Sequence, residues 1–330
     1  MQITSFPRKV VHRLKRRPLG NTFEAAILRR YGVDQPKVDD PTVQMWLDFS
    51  LSSVERGRQA VAHLGGRRAF AGRSVLDVGC AYGGFLVASK EAGARRAVGI
   101  DISPQLLDLA RLQIADHHVK AEILEADITS AGIADRLGAF DIVLCNDVIE
   151  HVVDPMVCAA NLASLLKRGG KAFLEIPNGS AVDFMLSDGH YGLFGITLLG
   201  REPAERWWGH HYSDTYGVEH YATVPYYLQI FSAAGISLRL LSGAPDQEAR
   251  LGEVDAAFDR LEKELEAFDK LEAPDLVAEI RRRGSEELGR FRQLRARIDG
   301  TDIPAERAIL VSEVVNTYGT TFWTLEGTKL

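Results

Sequence analysis

The chain has 330 residues, of which 46% are hydrophobic and 25% are charged, and its formal net charge is −6. A chain of this length can form one large domain with additions or two small domains. The acidic balance argues against nucleic acid as the main partner, because no domain-wide basic surface is expected. The chain has no apolar run that could span a bilayer, no signal peptide and no CxxC pair among its three cysteines. We therefore expect a location in a reducing cytoplasm.

The first 20 residues carry six basic side chains and no acidic one, interleaved with apolar residues. Such a segment either contacts the anionic surface of a membrane or an acidic partner, or is a solvated arm. Asn21 and Glu24 then have the spacing of a capping box for a short helix that Gly32 ends. A longer helix is predicted for 42–64. Residues 1–70 thus form a basic arm followed by helices.

An alternating series of strands and helices follows. Apolar strands separated by helices are typical of a parallel sheet with helices on both faces, so the predicted fold class is α/β with a doubly wound sheet. Two further strands can close this sheet as a final pair. The strands are expected at 74–78, 97–101, 122–126, 140–145, 171–176, 236–241 and 320–326, and the helices near 83–92, 104–115, 155–167 and 224–234.

Two insertions interrupt the core, which comprises 71–245 plus 300–330. The first, 178–223, is rich in His, Trp and Tyr and is expected to form a substrate pocket or its lid, although its aromatic residues can equally be core under a long loop. The second, 246–299, has a break at Ala273-Pro274 that predicts a helical hairpin. Its apolar seam forms a homodimer interface through 246–298 or packs within its own subunit. The seam consists of Leu251, Val254, Phe258, Leu261, Leu265 and Phe268.

The stretch 75-VLDVGCAYGGF-85 joins the first strand to a helix through a glycine-rich turn. Gly79 and Gly83 allow backbone to approach a ligand closely. The spacing G-x-x-x-G-G does not match the G-x-G-x-x-G of a dinucleotide turn, and the carboxylate of Asp77 would repel a pyrophosphate. A ligand with an ammonium group and no phosphate suits this turn, and S-adenosylmethionine is such a ligand. The alternative for Asp77 is a helix-capping role.

The ends of the next two strands also carry acidic residues. Asp101 can accept both hydroxyls of a ribose, a feature that nicotinamide and adenosyl nucleotides share. In 125-EADI-128, Asp127 can accept from an adenine amino group while Ile128 covers the ring. Each signal is weak alone, but together they place a nucleoside over the carboxyl ends of the strands.

The fourth strand, 140-FDIVLCNDVIEHVVDP-155, completes a pattern that resembles class I S-adenosylmethionine-dependent methyltransferases, particularly the small-molecule branch that includes the ubiquinone-biosynthesis O-methyltransferases. The matching segments are VLDVGCAYGG (75–84), VGIDIS (98–103), EADI (125–128), FDIVLCNDVIEHV (140–152) and LLKRGGKAFLEIPN (165–178).

This resemblance implies a Rossmann-like, seven-stranded sheet whose last strand is antiparallel. It also implies that the cofactor lies over the carboxyl ends of the first strands. The family commonly has glycine where this chain has Ala81, and a methyl group is tolerable there if the local φ stays negative. The cofactor contacts so implied are Asp77, Gly79, Cys80, Ala81, Gly83, Asp101, Ile102, Asp127, Ile128 and Asn146.

Methyl transfer from a sulfonium requires that the nucleophile, methyl group and sulfur lie in line and that water be excluded. A hydroxyl nucleophile also benefits from a base. His151 is the first candidate, and Asp188 with His190 is an alternative, although an orienting or packing role for His151 stays open. By resemblance, Glu150 faces the substrate. The other predicted substrate contacts are Trp207, Trp208, His210, His211 and Tyr212.

We expect no metal. Glu150 and His151 are two adjacent ligands without a visible partner, and the histidines of the first insertion match no zinc-binding spacing. DNA amino-methyltransferases are disfavoured because 146-NDVIE-150 stands where they usually carry N-P-P-Y-like residues. Cytosine C5 chemistry is disfavoured because Cys145 lies inside a strand.

The sequence therefore predicts a cytoplasmic, S-adenosylmethionine-dependent methyltransferase that forms an O-methyl product on a small molecule or glycan. A lipid-linked acceptor would explain the basic arm. The alternatives are a nicotinamide-dependent oxidoreductase, disfavoured by Asp77 and the glycine spacing, and a non-catalytic scaffold with the same fold.

Overall fold

The computed structural model describes residues 22–31, 41–213, 215–241, 246–269 and 273–330. The basic arm at 1–20, the predicted cap at Asn21 and the predicted stop at Gly32 lie outside these residues. The strands are β1 (Ser74–Val78), β2 (Arg96–Asp101), β3 (Glu122–Glu125), β4 (Phe140–Asn146), β5 (Leu166–Pro177), β6 (Ile236–Leu240) and β7 (Phe322–Lys329).

The first seven helices are α1 (Phe23–Arg30), α2 (Pro41–Leu51), α3 (Ser53–His63), α4 (Gly66–Phe70), α5 (Gly84–Glu91), α6 (Pro104–Asp116) and α7 (Ile133–Leu137). The others are α8 (Pro155–Leu165), α9 (Val182–Leu186), α10 (Arg201–Gly209), α11 (Val224–Ala233), α12 (Gln247–Ala267), α13 (Pro274–Asp299) and α14 (Pro304–Tyr318). Short 3₁₀ turns lie at Ile149–His151 and Ile196–Leu198.

The strands form one sheet in the order β3-β2-β1-β4-β5-β7-β6. The pairs from β3 to β5 are parallel, and β7 runs antiparallel to both of its neighbours. The predicted doubly wound α/β class and the antiparallel last strand are confirmed. Val78, at the end of β1, pairs with Ile100 of β2 and Cys145 of β4. The carboxyl ends of these strands therefore meet at one edge, where the strand order reverses and ligands commonly bind.

Two predictions at the amino-terminal helices are wrong. The N-cap of α1 is Thr22, whose side chain accepts from the amide of Ala25, and not Asn21. The single helix predicted for 42–64 is two helices, α2 and α3, separated at Ser52. The hydroxyl of Ser50 donates to the carbonyl of Trp46 and that of Ser52 to the carbonyl of Phe49. Such bonds compete with the backbone ladder and interrupt a helix.

The two largest apolar clusters among the described residues lie in different parts of the fold. One lies around the sheet, and the other joins the first insertion to α12, α13 and α14. The apolar seam packs in this second cluster; the ring of Phe258 stacks on Phe291 of α13, with 4.0 Å between centroids. Both predicted hairpin helices form, and their seam packs within its own subunit, which was one of the two alternatives. A homodimer through 246–298 stays a prediction.

No helix within the described ranges is long and apolar enough to cross a membrane.

Candidate active site

The turn between β1 and α5 brings backbone to the edge where the strands end. Gly79 and Gly83 have φ angles of +66° and +75°, which glycine adopts readily. Ala81 has a φ of +41°, so the condition of a negative φ is not met. The Oδ2 of Asp101 accepts a hydrogen bond of 2.9 Å from the amide of Ala81 and holds it there. Ala81 thus adopts a left-handed backbone conformation that favours glycine. This conformation costs about 1–2 kcal/mol of stability.

Two other segments of the chain pack closely against this turn. A Cβ at Gly84 would collide with the backbone of Ser53, at the start of α3. A Cβ at Gly79 would collide with the Cγ2 of Val148, in the segment that follows β4. These glycines therefore serve close approach between chain segments as well as turn geometry.

Asp77 lies beneath the turn and is buried. Its Oδ2 has no hydrogen-bond partner in the described part of the chain. Asp77 does not cap α5, whose N-cap is Gly83. Burial, and secondarily the charge of Asp101, raise the pKa of Asp77 to about 8, while Arg56 opposes this rise. A buried carboxyl group without a partner fits a cationic ligand, and the ammonium group of S-adenosylmethionine is one.

Asp101 and Ile102 shape the neighbouring end of β2. Besides the amide of Ala81, Asp101 accepts from the amide of Ser103 through Oδ1. These bonds hold the carboxylate at the edge of the sheet. The side chain of Ile102 is 71% exposed beside it. An exposed apolar side chain next to a fixed carboxylate suits a nucleoside, whose ring is apolar and whose ribose donates hydrogen bonds.

The remaining predicted cofactor residues lie nearby with different exposures. Asp127 binds the amide and hydroxyl of Thr129 through Oδ1. Ile128 and Cys80 are buried, so Ile102 rather than Ile128 offers open apolar surface, and Cys80 presents only backbone to the turn. Asn146 ends β4, and neither polar atom of its amide side chain has a hydrogen-bond partner among the described residues, although both are buried.

Arg56 was not singled out from the sequence, yet it lies next to this edge. It extends from α3, and its guanidinium carbon is 3.8 Å from the ring centroid of Phe49. Its Nη1 is 3.9 Å from the Oδ2 of Asp147. Burial lowers the pKa of Arg56, and the charges of Asp147 and Glu175 oppose this shift. A buried guanidinium suits a carboxylate ligand, but a lone arginine in a helix gives no such signal in sequence.

A second group of polar side chains lies beyond β4. The chain leaves β4 through Asp147, which has a φ of +52°, and enters the 3₁₀ turn that carries Glu150 and His151. His190, from the first insertion, joins them. The Oε1 of Glu150 is 3.6 Å from the Nε2 of His151 and 3.5 Å from the Nε2 of His190. The two alternative base candidates thus lie in one cluster.

The backbone of the first insertion orients the ring of His151. Its Nδ1 lies 2.8 Å from the carbonyl oxygen of Gly217. Because a carbonyl only accepts, Nδ1 carries the proton in a neutral His151, and the lone pair of Nε2 points toward Glu150. The side chain of His151 is 35% exposed, so Nε2 is within reach of a ligand.

Glu150 is fully buried. Neither carboxylate oxygen makes a hydrogen bond with any described residue. The peptide carbonyl of Glu150 accepts from the amides of Glu219 and His220, which anchor the 3₁₀ turn to the insertion. Burial raises the pKa of Glu150 to about 7, and the charge of His151 opposes this rise. The carboxyl group can therefore exchange a proton near neutral pH.

His190 approaches Glu150 from the insertion. Its Nδ1 lies 3.2 Å from the hydroxyl of Tyr221. Asp188 accepts from the amides of His190, Tyr191 and Leu193, so its carboxylate shapes the turn that presents His190. Burial lowers the pKa of His190, which keeps its ring neutral at pH 7.

The same cluster has the composition of a metal site. One donor atom each from Glu150, His151 and His190 lies within 4.8 Å of the other two. Two imidazoles and a carboxylate suit zinc or another divalent transition metal. We predicted no metal because the sequence shows no third ligand beside Glu150 and His151. His190 supplies that ligand from a distant part of the chain.

Trp207 lies in the core beneath the first insertion. Its ring is 1% exposed, packs against Phe268 of the hairpin region and donates from Nε1 to the carbonyl of Phe194. Contact between Trp207 and the substrate stays a prediction, which the enclosed position of the ring does not favour. His210 and His211 are exposed and lie against the ring of Trp207.

Trp208 is also buried, and its ring stacks on Tyr212 with 3.8 Å between centroids. Both rings pack against Tyr191, which lies beside His190. The alternative interpretation, in which these aromatic residues form core under a long loop, therefore describes both tryptophans. Direct substrate contact by Trp208 likewise stays a prediction that its burial does not favour.

Comparison with known proteins identifies the type of domain. A family model described as a methyltransferase domain matches residues 54–239, more than half of the chain. The chain is 38% identical over 117 residues to a ubiquinone biosynthesis O-methyltransferase of Xanthomonas axonopodis pv. citri, which is 36% of this chain and 48% of that protein. A Xanthomonas oryzae protein of the same name is 35% identical over 125 residues, 38% of this chain and 52% of its own. The chain thus spans about half the length of the curated relatives it matches.

Solved structures are similar at lower identity. The magnesium protoporphyrin IX methyltransferase of Synechocystis PCC 6803, with bound S-adenosylhomocysteine, has a TM-score of 0.43 and 21% identity, covering 68% of this chain and 90% of that one. An S-adenosylmethionine-dependent methyltransferase of Mesorhizobium loti has a TM-score of 0.42 and 20% identity, covering 58% and 87%.

Proposed function

The chain belongs to the methyltransferase-domain family, whose methyl donor is S-adenosylmethionine, and we propose that it methylates a hydroxyl oxygen of a small molecule or glycan. The bound donor supplies a methyl group that is already activated on a sulfonium. The chain's own residues have to bind the donor, align the acceptor oxygen and exclude water.

Residues around the turn after β1 are proposed to bind the donor. Asp77 and Asn146, whose side chains have buried polar atoms without a hydrogen bond to any described residue, would hold the amino group of its amino-acid part. Arg56 would neutralise the carboxylate. Asp101 would accept from the ribose hydroxyls, and Ile102 would cover the adenine ring. The unpartnered carboxyl oxygen of Asp77 supports this assignment, because a cation relieves its burial.

The proposed acceptor chemistry rests on one observation. The Nε2 atoms of His151 and His190 converge on the buried carboxylate of Glu150, and the Nδ1 of His151 is hydrogen-bonded to a backbone carbonyl. A hydroxyl that enters this cluster meets an unprotonated Nε2 that can accept its proton. The carboxylate of Glu150 then stabilises the imidazolium that forms. We assign His151 as the base, since the Gly217 carbonyl fixes its Nδ1 and its side chain is partly exposed, whereas His190 is more deeply buried.

Buried acidic residues near this cluster favour a neutral acceptor. An anionic acceptor would add repulsion in a poorly solvated region, whereas a phenol or a sugar hydroxyl would not. Tyr191 and Tyr221 offer rings with polar tips for such a group. The names of the curated relatives agree with O-methylation. The acids, whose pKa values burial raises, are Asp147, Glu150, Glu175 and Asp188.

A divalent cation on Glu150, His151 and His190 is a second way to activate the same hydroxyl. Such a cation lowers the pKa of a bound hydroxyl, which makes a base unnecessary. The spacing of the three donor atoms favours this version. Under it, both histidines are ligands and contribute equally.

The first test is a methyl-transfer assay with isotope-labelled S-adenosylmethionine on panels of neutral and carboxylated phenols and of sugars. It compares the wild type with His151→Ala and His190→Ala, each with and without a chelator. We expect turnover on neutral hydroxyls, abolished in His151→Ala and only reduced in His190→Ala, and unaffected by chelation. An equal loss of turnover in both variants, together with a loss of turnover when the chelator is added, would support activation by a cation instead.

Calorimetric titration separates this function from its alternatives. We expect S-adenosylhomocysteine to bind the wild type and to bind Asp101→Ala more weakly. NADH should not bind. Binding of NADH alone would support the oxidoreductase. Cofactor binding without methylation of any acceptor would leave the non-catalytic scaffold.

Location and assembly remain separate proposals. We propose a cytoplasmic protein whose basic arm at 1–20 contacts anionic membranes; unchanged liposome binding after deletion of this arm would contradict it. The proposed homodimer through 246–298 is tested by light scattering, and a monomer at all concentrations would contradict it.

A further inference from the structure

Tyr191 connects the aromatic part of the first insertion to the ring of His151. Its hydroxyl accepts a hydrogen bond of 3.1 Å from the amide of Gly217. The carbonyl of the same glycine accepts from the Nδ1 of His151 at 2.8 Å. A Cβ at Gly217 would lie 2.9 Å from the hydroxyl oxygen of Tyr191 and 3.9 Å from that Nδ1, so the three groups are in close contact. The hydroxyl of Tyr191 therefore anchors the backbone at Gly217, the residue whose carbonyl meets His151.

Tyr191 is itself held in place from three directions. Its amide donates to Asp188 at 3.2 Å, and its carbonyl accepts from the hydroxyl of Tyr212 at 3.2 Å. Its ring lies against Trp208, with 4.2 Å between centroids. A side chain with its backbone and ring fixed in this way presents its hydroxyl in one position, which is what a supporting group requires.

Two acceptors compete for the single ring proton of a neutral His151. The carbonyl of Gly217 favours the proton on Nδ1. The carboxylate of Glu150, 3.6 Å from Nε2, favours the proton on that nitrogen instead. Only the first tautomer leaves a lone pair on the nitrogen that faces Glu150 and His190. The balance between the two acceptors decides whether Nε2 can take a proton or bind a cation.

We propose that Tyr191 is a positioning residue that keeps neutral His151 in the tautomer with its proton on Nδ1. The proposal deepens the proposed function, because it rests on the Nε2 of His151 acting toward the acceptor. Without the hydroxyl of Tyr191, the Gly217 carbonyl loses its fixed direction and Glu150 draws the proton to Nε2. Trp208 and Tyr212 then serve the site through Tyr191, without touching the acceptor.

The test removes one oxygen atom with Tyr191→Phe. Nitrogen-15 NMR of protein labelled at histidine distinguishes the two neutral tautomers, and His151→Ala identifies the signals of His151. We expect the wild type to carry the proton on Nδ1 and Tyr191→Phe to shift toward Nε2. In the methylation assay we expect kcat to fall about 10- to 100-fold, with KM for S-adenosylmethionine unchanged, as for a small misplacement of a catalytic group.

A second variant tests the hydrogen bond between Gly217 and Tyr191 from the side of Gly217. Gly217 is exposed, so Gly217→Ala should fold, and its Cβ would displace the hydroxyl of Tyr191. We expect the same tautomer shift. Tyr318→Phe is the matched control, because it removes the hydroxyl of another tyrosine, one that donates to Glu287 in the hairpin region; it should change neither the tautomer nor kcat.

The outcomes separate this proposal from the proposed function. An unchanged His151 tautomer in both Tyr191→Phe and Gly217→Ala would overturn the positioning role, whatever the activity. An equal fall of kcat in Tyr318→Phe would also overturn it, because the effect would then be one of general stability. A tautomer shift in a protein that methylates no acceptor would support the positioning role and overturn the proposed function.

Discussion

The two halves of the site are built in different ways. The proposed cofactor half, around the turn after β1, is shaped largely by backbone: the turn is one continuous segment, and glycines let the chain fold tightly against α3 and Val148. The acceptor half is assembled from side chains, since Glu150 and His151 meet His190 and the carbonyl of Gly217 from a separate insertion. The turn of the cofactor half is therefore encoded by neighbouring residues, whereas the acceptor half depends on packing between distant segments.

This difference matches the different tasks of binding the methyl donor and binding the acceptor. A donor that is the same for many reactions needs a fixed backbone cradle, and the turn after β1 provides one. An acceptor that differs between proteins needs side chains that can be exchanged, and an insertion at the carboxyl end of β5 can supply them without disturbing the sheet. The five predictions below test whether the halves are separable, from the largest expected effect to the smallest.

Glu150→Gln should affect the acceptor half alone. We expect kcat to fall about 10²- to 10⁴-fold, because the buried carboxylate no longer stabilises a charged His151. The affinity for S-adenosylhomocysteine should not change. The midpoint of thermal unfolding should stay or rise, since a buried carboxylate without hydrogen bonds is removed. Weaker cofactor binding, seen by calorimetry, would show that the two halves are coupled.

Gly84→Ala should damage the cofactor half. Its Cβ would collide with the backbone of Ser53, which cannot move without shifting α3. Overpacking of this kind costs about 1–3 kcal/mol or more, so we expect a lower unfolding midpoint and weaker cofactor binding. Gly252→Ala, inside α12 with open space around its Cβ, is the control and should stabilise by about 0.5–1 kcal/mol. Equal unfolding midpoints for the two variants would contradict the close approach.

Trp207→Phe should affect stability without affecting either half. The change removes the hydrogen bond to the carbonyl of Phe194 and leaves space in the hairpin core. We expect a loss of about 1–3 kcal/mol in the free energy of unfolding, measured with urea. The KM for the acceptor should match that of the wild type. A clear rise of this KM would support the prediction that Trp207 contacts substrate.

The pH dependence of cofactor binding should report on Asp77. Because its pKa is raised to about 8, Asp77 is mostly protonated at pH 7 in the free protein, and binding of an ammonium group favours the ionised form. Binding then releases a proton, so affinity should rise as pH increases from 6 to 8, by at most about tenfold per pH unit. Asp77→Asn should remove this slope. A slope that persists in Asp77→Asn would assign the proton to another group.

The raised pKa of Asp77 also affects the fold. A carboxyl group whose folded pKa exceeds its unfolded value opposes folding above the unfolded value, and its penalty grows until pH passes the folded pKa. The free protein should therefore lose stability as pH rises from about 4 toward 8, and bound cofactor should reduce this loss. Unfolding midpoints measured with and without S-adenosylhomocysteine test both statements.

Much of the cofactor half could be predicted because its signals are local. β1 matches its predicted bounds, and its turn and the acidic end of β2 lie where the sequence placed them. The φ of Ala81 could not be predicted, because the hydrogen bond from its amide to Asp101 decides it. Arg56 was missed for a similar reason. Its burial depends on how α3 packs against the sheet, and a helix pattern does not reveal that.

The sequence by itself determined the fold class, the turn and the chemical character of its ligand, because strand-helix alternation and glycine turns are encoded by neighbouring residues. The tertiary structure alone decided that the two base candidates share one cluster and that Trp207 and Trp208 are core. It also showed that Gly217 orients His151. These arrangements join residues far apart in the chain, and their geometry is set by packing between separate segments, which no local pattern records.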